Sequence, residues 1–148
     1  LNTTWVHENH STSLSRGTIR GLHFQFPPHS EIKLVRVTSG SVKDFFVDIR
    51  STSKTFGKWG SIELSSENKR CLYLPKGIAH GMCTLEDNTT MVYKVDKAYA
   101  PKHEGQIYWG DPVLNIDWPN FDNYIISSKD KNAMSLKEFT ELYGGIDL

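Results

Sequence analysis

The segment Arg20-Gly21-Leu22-His23-Phe24-Gln25 carries a cation and an imidazole three positions apart. In a regular strand, alternation sends those two side chains to opposite faces. A glycine-centred bulge at Gly21 brings both to one side, and bulges often sit beside active sites. The other reading is a surface arginine and a hydrogen-bonded structural histidine. In Lys33-Leu34-Val35-Arg36-Val37, period two groups Lys33 with Val35 and Val37. A lysine looking into a barrel is costly unless it meets an anion or a developing negative charge. If the opposite face is inward, Lys33 is simply solvated. Tyr93 shares a face with Met91 and Val95. It is either a core tyrosine with its hydroxyl at the rim or a phenol placed to give or take a proton.

His80 follows the tight turn Pro75-Lys76-Gly77. A metal-binding barrel could place one ligand there, but such a site needs partners, commonly a His-x-His pair and a carboxylate. None of the six histidines (His7, His10, His23, His29, His80, His103) has that spacing, so no metal is expected. The sequence also lacks a Walker loop, a dinucleotide fingerprint, a Gly-x-Ser-x-Gly elbow and a Cys-x-x-Cys pair.

The elements that must carry these side chains read as strands. Aromatic residues make up 11% of the chain, and β-branched stretches recur at 18–24, 33–38, 41–49, 60–64, 70–74, 82–85, 89–95 and 106–109. Turn material separates them, as in Phe26-Pro27-Pro28, Ser39-Gly40 and Glu86-Asp87-Asn88. Many short strands at this spacing imply an all-β sandwich or closed barrel. One helix is expected near the C-terminus. Ser135 and Glu138 form a capping-box pattern, Leu136, Phe139 and Leu142 or Tyr143 supply an apolar stripe, and Gly144-Gly145 ends it.

A chain of 148 residues with no linker or repeat fits one domain, 1–148. Lys plus Arg (17) balances Asp plus Glu (17), which argues against a non-specific nucleic-acid binder. A local anion pocket is invisible in that sum. No apolar run approaches the roughly 20 residues of a membrane span, so no membrane partner is expected. With no export signal and only Cys71 and Cys83, reduced thiols in the cytoplasm are the simpler reading.

Taken together, the motifs are more specific. Arg20-Gly-Leu-His23-Phe-Gln, Lys33-Leu-Val-Arg36-Val, Val47-Asp48-Ile-Arg50 and Ser53-Lys-Thr-Phe56-Gly57-Lys-Trp59 occur in order. They are followed by Glu67-Asn68-Lys69-Arg70, Pro75-x-Gly77-x-Ala79-His80-Gly81, Tyr93-Lys94, Tyr99-Ala-Pro101, Glu104-Gly105, Trp109-x-Asp111-Pro112 and Ile116-Asp117-Trp118-Pro119. The chain thereby resembles the dTDP-4-dehydrorhamnose 3,5-epimerases over about residues 9–130. The resemblance implies a cupin-type jelly roll, a homodimer, a nucleotide-linked 4-keto-6-deoxyhexose as substrate and no cofactor. It makes His23 the general base, Asp130 its carboxylate partner, Tyr93 the general acid and Lys33 the cation near the sugar's C4 oxygen. It makes Arg20, His80, Glu104 and Lys129 substrate contacts, Tyr99 the aromatic stacked on the base, and Asn9 part of an N-terminal segment touching the ligand.

The chemistry suits these types. A C–H beside a ketone is weakly acidic, so a base must be held within hydrogen-bond reach, and histidine's ordinary pKa lies near operating pH. A carboxylate on its other nitrogen fixes the tautomer. A cation then stabilises the enolate oxygen. Inversion needs a proton returned from the opposite face, where a phenol can supply it.

Departures from the family pattern set further expectations. Family strands that precede the Asn9 region are missing here, His7-Glu8-Asn9 stands where Gln-Asp-Asn is common, and Ala98 replaces a second tyrosine. Phe45-Phe46 is bulkier than usual and is expected to narrow the pocket. The alternatives are a C3-only or C5-only epimerase, a 3,4-ketoisomerase, or a non-catalytic sugar-nucleotide binding domain.

Overall fold

A computed structural model describes residues 2–148. Alternating polar and apolar residues produce two sheets. The four-stranded sheet has the order β1 (His7–Ser13), β8 (Thr89–Val95), β3 (Lys33–Ser39) and β6 (Cys71–Leu74), all antiparallel. The larger sheet runs β10 (Ile125–Ile126), β2 (Thr18–Gln25), β7 (Ile78–Thr84), β4 (Ser41–Asp48) and β5 (Trp59–Ser65), with β9 (Glu104–Gln106) also paired to β2. Among the described strands, β10 alone runs parallel to its neighbour. This is the expected all-β, cupin-type jelly roll with a short C-terminal helix.

Two cores follow from the two faces of the larger sheet. Between the sheets lie Val35, Val37, Val42, Leu64, Leu74, Met82 and Met91. On the outer side, Leu22, Phe24, Phe45, Val47, Ile49 and Ala79 pack against Ile107, Leu114, Ile116, Leu136, Phe139 and Ile146 of the C-terminal third. Burying each such side chain contributes roughly 1.5–3 kcal/mol. Strand β4, between β7 and β5, is consequently buried on both faces.

Phe45 and Phe46 do not narrow a pocket, contrary to expectation. Phe45 belongs to the outer core, its ring centroid 4.3 Å from that of Trp118. Phe46 packs against the inner core, in the space left by the missing Cβ of Gly60.

The predicted helix is present as α2 (Leu136–Tyr143), following a single turn, α1 (Ser128–Lys131). Ser135 Oγ accepts from the Glu138 backbone N–H, and Glu138 returns the bond to the Ser135 N–H at 2.8 Å. Leu136 and Phe139 are buried, whereas Leu142 and Tyr143 are exposed. The buried Asp111 carboxylate accepts the backbone N–H groups of Val113, Leu114 and Leu136, which ties the preceding turn to α2.

Several elements differ from the sequence reading, which gives no sign of β10 or of the one-turn α1. β1 is too polar to announce itself; it is held by its antiparallel pairing with β8, to which the Thr12–Thr90 hydroxyl bond and the Glu8–Lys94 ion pair add side-chain links. β7 starts at Ile78 and not at 82, so His80, expected between the turn and the strand, lies within the strand. Pairing expected at 106–109 begins earlier, as β9 at Glu104–Gln106; Ile107 still exchanges backbone bonds with Leu22 of β2, and Tyr108 turns away to donate to the Met134 carbonyl.

Candidate functional site

The register between β2 and β7 slips between Arg20 and His23. Gly21, at φ +102°, sits in that slip, and a Cβ there would collide with the His80 carbonyl oxygen. Only glycine tolerates this conformation and approach. Because of the bulge, Arg20 and His23 both face the space between the sheets.

That space is a cavity of about 190 Å³ lined by Ser11, Arg20, His23, Lys33, His80, Gly81, Met82, Met91 and Tyr93. His23, Arg20 and His80 come from the larger sheet, and Lys33, Tyr93 and Ser11 come from the smaller sheet facing it. Lys33 therefore takes the inward of its two possible positions, with its side chain 12% exposed.

Asp130 lies behind His23, and no strand pattern marked its position. Ser127 caps α1 by accepting from the Asp130 N–H, which places the carboxylate under β2. Its Oδ2 accepts from the Gly21 N–H at 3.2 Å, and its Oδ1 stands 2.5 Å from His23 Nε2. Burial pushes this carboxyl up, but the bonds from His23, Gly21 and Ser127 outweigh it and hold the pKa below the ordinary value. An ionised carboxylate only accepts, so Nε2–H donates and Nδ1 is left with its lone pair. One residue thus anchors the bulge and sets the imidazole's tautomer.

A second imidazole–carboxylate pair occupies the floor. His80 Nε2 is 2.8 Å from Oδ2 of Asp44, which is fully buried. Asp44 Oδ1 is buried without a hydrogen-bond partner among the described residues. Burial raises this carboxyl above its usual range, against the opposing pull of His80 and Lys33.

At the mouth, Tyr93 is shared with an outer cavity of about 300 Å³, lined also by His7, Asn9, Glu31, Val95 and Tyr99. The Tyr99 hydroxyl donates to Glu104 Oε2 at 2.8 Å, and Lys129 Nζ donates to Glu104 Oε1 at 2.7 Å. The bond to Glu104 raises the Tyr99 phenol above its ordinary range, against the opposing pull of Lys129. All ten residues singled out in the sequence therefore fall in one region: five around the inner cavity, Asp130 behind it, and Asn9, Tyr99, Glu104 and Lys129 around its mouth.

The family model described as dTDP-4-dehydrorhamnose 3,5-epimerase matches residues 1–138. The chain belongs to this family. It is 46% identical over 133 residues to the dTDP-4-dehydrorhamnose 3,5-epimerase of Sinorhizobium fredii, covering 90% of this chain and 68% of that protein. Among solved structures, the Legionella pneumophila dTDP-6-deoxy-D-glucose-3,5-epimerase, in complex with dTDP-4-keto-L-rhamnose, superposes with a TM-score of 0.92 at 38% identity. That match covers all of this chain and 77% of the other. A 3'-monoepimerase from Streptomyces bikiniensis, in complex with dTDP-quinovose, superposes with a TM-score of 0.91 at 31% identity, covering 97% of this chain and 72% of that one.

Within this epimerase fold, sequence reasoning missed Asp44, Glu31 and the Ser11 wall. Asp44 was detectable: period two in Ser41-Val42-Lys43-Asp44-Phe45-Phe46 places it between Val42 and Phe46, an acid on an apolar face, by the rule that marked Lys33. Glu31 precedes its strand and carries no periodic signal. Among the described residues, no group of three or more His, Cys, Asp or Glu is placed to hold a metal ion. No described helix is long and apolar enough to cross a membrane.

Proposed function

We propose that this chain inverts C3 and C5 of a nucleotide-linked 4-keto-6-deoxyhexose, with dTDP as the nucleotide. The observation that carries this reading is the placement of His23 and Tyr93 on facing sheets across one cavity. A base on one wall and an acid on the other can remove a proton from one side of a sugar ring and return it from the other.

In this mechanism His23 Nδ1 takes the proton beside the ketone while Asp130 stabilises the imidazolium that forms. Lys33, and Arg20 from the facing sheet, stabilise the negative charge that develops on the C4 oxygen in the pocket. Tyr93 donates to the opposite face. The inner cavity has room for the sugar ring alone, so the nucleotide belongs in the outer cavity, with its base on the exposed ring of Tyr99 and its phosphates near Lys129. The reading includes a homodimer: β1 has β8 as its neighbour and leaves its other edge open among the described residues. It also includes a cytoplasmic setting, in keeping with the two unpaired cysteines.

Incubation with dTDP-4-keto-6-deoxyglucose in deuterated water tests the activity. Deuterium at both C3 and C5 of the product supports double inversion. The fold shared with a 3'-monoepimerase makes label at C3 alone the competing outcome. A shifted carbonyl would indicate a ketoisomerase, and no exchange above background would overturn the enzymatic reading.

A further inference from the structure

Glu31 has no role in the scheme above, yet it stands at the wall where the two cavities meet. Its Oε1 is 3.1 Å from Lys33 Nζ, and both side chains are only 12% exposed. Its Oε2 accepts from Gln25 Nε2 at 3.3 Å. Gln25 is itself buried and fixed: its Oε1 accepts from the Ala100 N–H at 2.7 Å, and its Nε2 also donates to the His29 carbonyl at 3.0 Å. Just after Glu31, the Ile32 N–H donates to Asp96 at 2.6 Å. Glu31 is therefore a fixed acid, held on both sides. Ion pairs of this kind contribute little to stability once desolvation is counted. Its position calls for another reason.

The charges around Tyr93 suggest one. Arg20 and His23 from β2, Lys33 from β3 and His80 from β7 line the inner cavity with the phenol, and Asp44 of β4 is bound to His80. From β1, Ser11 and Asn9 are neutral and His7 lies on the outer side with Tyr99. Cations collected to receive an oxyanion also favour phenolate, which would strip a general acid of its proton. Glu31 is the carboxylate that lines the outer cavity beside the phenol. Burial is the main cause that raises the Tyr93 phenol above its usual range, Glu31 raises it further, and Arg20 opposes both.

We propose that Glu31 is a positioning residue that fixes Lys33 on the cavity wall and sets negative charge beside Tyr93, so that the proton donor stays protonated among cations. The proposal rests on the epimerase reading for its consequence in turnover, but its electrostatic part can be measured without turnover.

The test compares wild type with Glu31→Gln, which keeps the shape and removes the charge, and Glu31→Asp, which keeps the charge and shortens the reach. In ligand-free protein labelled with 13C-tyrosine, with the Tyr93 signal assigned through Tyr93→Phe, the resonance in Glu31→Gln should titrate at lower pH than in wild type. The Glu31→Asp resonance should stay near the wild-type curve. In kcat/KM with dTDP-4-keto-6-deoxyglucose, the alkaline limb of Glu31→Gln should move the same way, its fall beginning at lower pH than in wild type. Identical Tyr93 titrations in Glu31→Gln and wild type would overturn the proposal. A wild-type protein without epimerase activity would overturn the function instead, and the ligand-free titration would still decide the role of Glu31.

Discussion

His23 and His80 are register partners on adjacent strands, yet carboxylates from different elements hold them, Asp130 from α1 and Asp44 from β4. The two acids are tuned in opposite directions. Asp130 accepts from a ring nitrogen and a backbone N–H and stays below the ordinary carboxylate range despite its burial. Asp44 has one oxygen without a partner among the described residues, and burial pushes it up. A base that must become imidazolium needs a firm anion behind it, and His23 has one. His80 is backed by a carboxyl that burial drives towards its neutral form, which suits a hydrogen-bonding contact better than a proton carrier.

Asp130→Asn should retain the fold and lose turnover by about a thousandfold, because the amide no longer enforces the Nε2–H tautomer. His23→Ala should lose several powers of ten with binding largely kept. Steady-state kinetics and dTDP binding by calorimetry separate the two effects. The linkage has a definite sign. A depressed carboxyl stabilises the protein above its unfolded pKa and loses that contribution as pH falls through the folded value. The stability gap between wild type and Asp130→Asn in urea should therefore narrow from pH 6 to pH 3.

Tyr93→Phe should separate abstraction from inversion. With His23 intact, the hydrogen beside the ketone still exchanges with solvent, but the proton returns from the face it left. In deuterated water, NMR should show label incorporated with retained configuration and epimer formation reduced by about a hundredfold or more. Full inversion by Tyr93→Phe would place the proton donor elsewhere.

Asp44→Asn tests the floor through stability. A raised carboxyl costs nothing below its unfolded pKa, and its charge becomes a growing liability as pH rises towards the folded value. The melting temperature of Asp44→Asn relative to wild type should therefore be more favourable at pH 7.5 than at pH 4. A gap that moves the other way would mean that the Asp44 charge is stabilised by His80 and Lys33 more than burial opposes it.

The sequence showed most of this architecture because strands alternate and turns use Gly, Pro, Asn and Ser. It marked Lys33, Arg20 and His23 because each is polar where a regular strand should be apolar or should alternate. Asp130 was reachable only through family resemblance: it lies on a one-turn helix, 107 positions from its histidine, and no local rule predicts that meeting. The β1 wall stayed hidden since His7–Ser13 is polar throughout and owes its conformation to pairing with β8. The inward position of Lys33 was a choice between two faces until Val35 and Val37 were seen in the inner core.

The bulge at Gly21 ties these features together, and it can be broken by one methyl group. A Cβ there would lie 2.7 Å from Gly81 Cα and would collide with the His80 carbonyl, at a φ of +102° that other residues rarely adopt. Relief requires β2 to move away from β7, which displaces His23 from Asp130 and withdraws the Gly21 N–H from the same carboxylate. Gly21→Ala should cost about 2 kcal/mol or more in stability. It should also lower turnover by about a hundredfold, since small displacements of a base are amplified in rate. Gly144→Ala is the control: it has a similar positive φ but no atom within 4 Å of the added Cβ. It should cost about 1 kcal/mol through strain alone and leave turnover unchanged. Equal turnover in both variants at a temperature where both are folded would show that the bulge shapes the strand without placing the base.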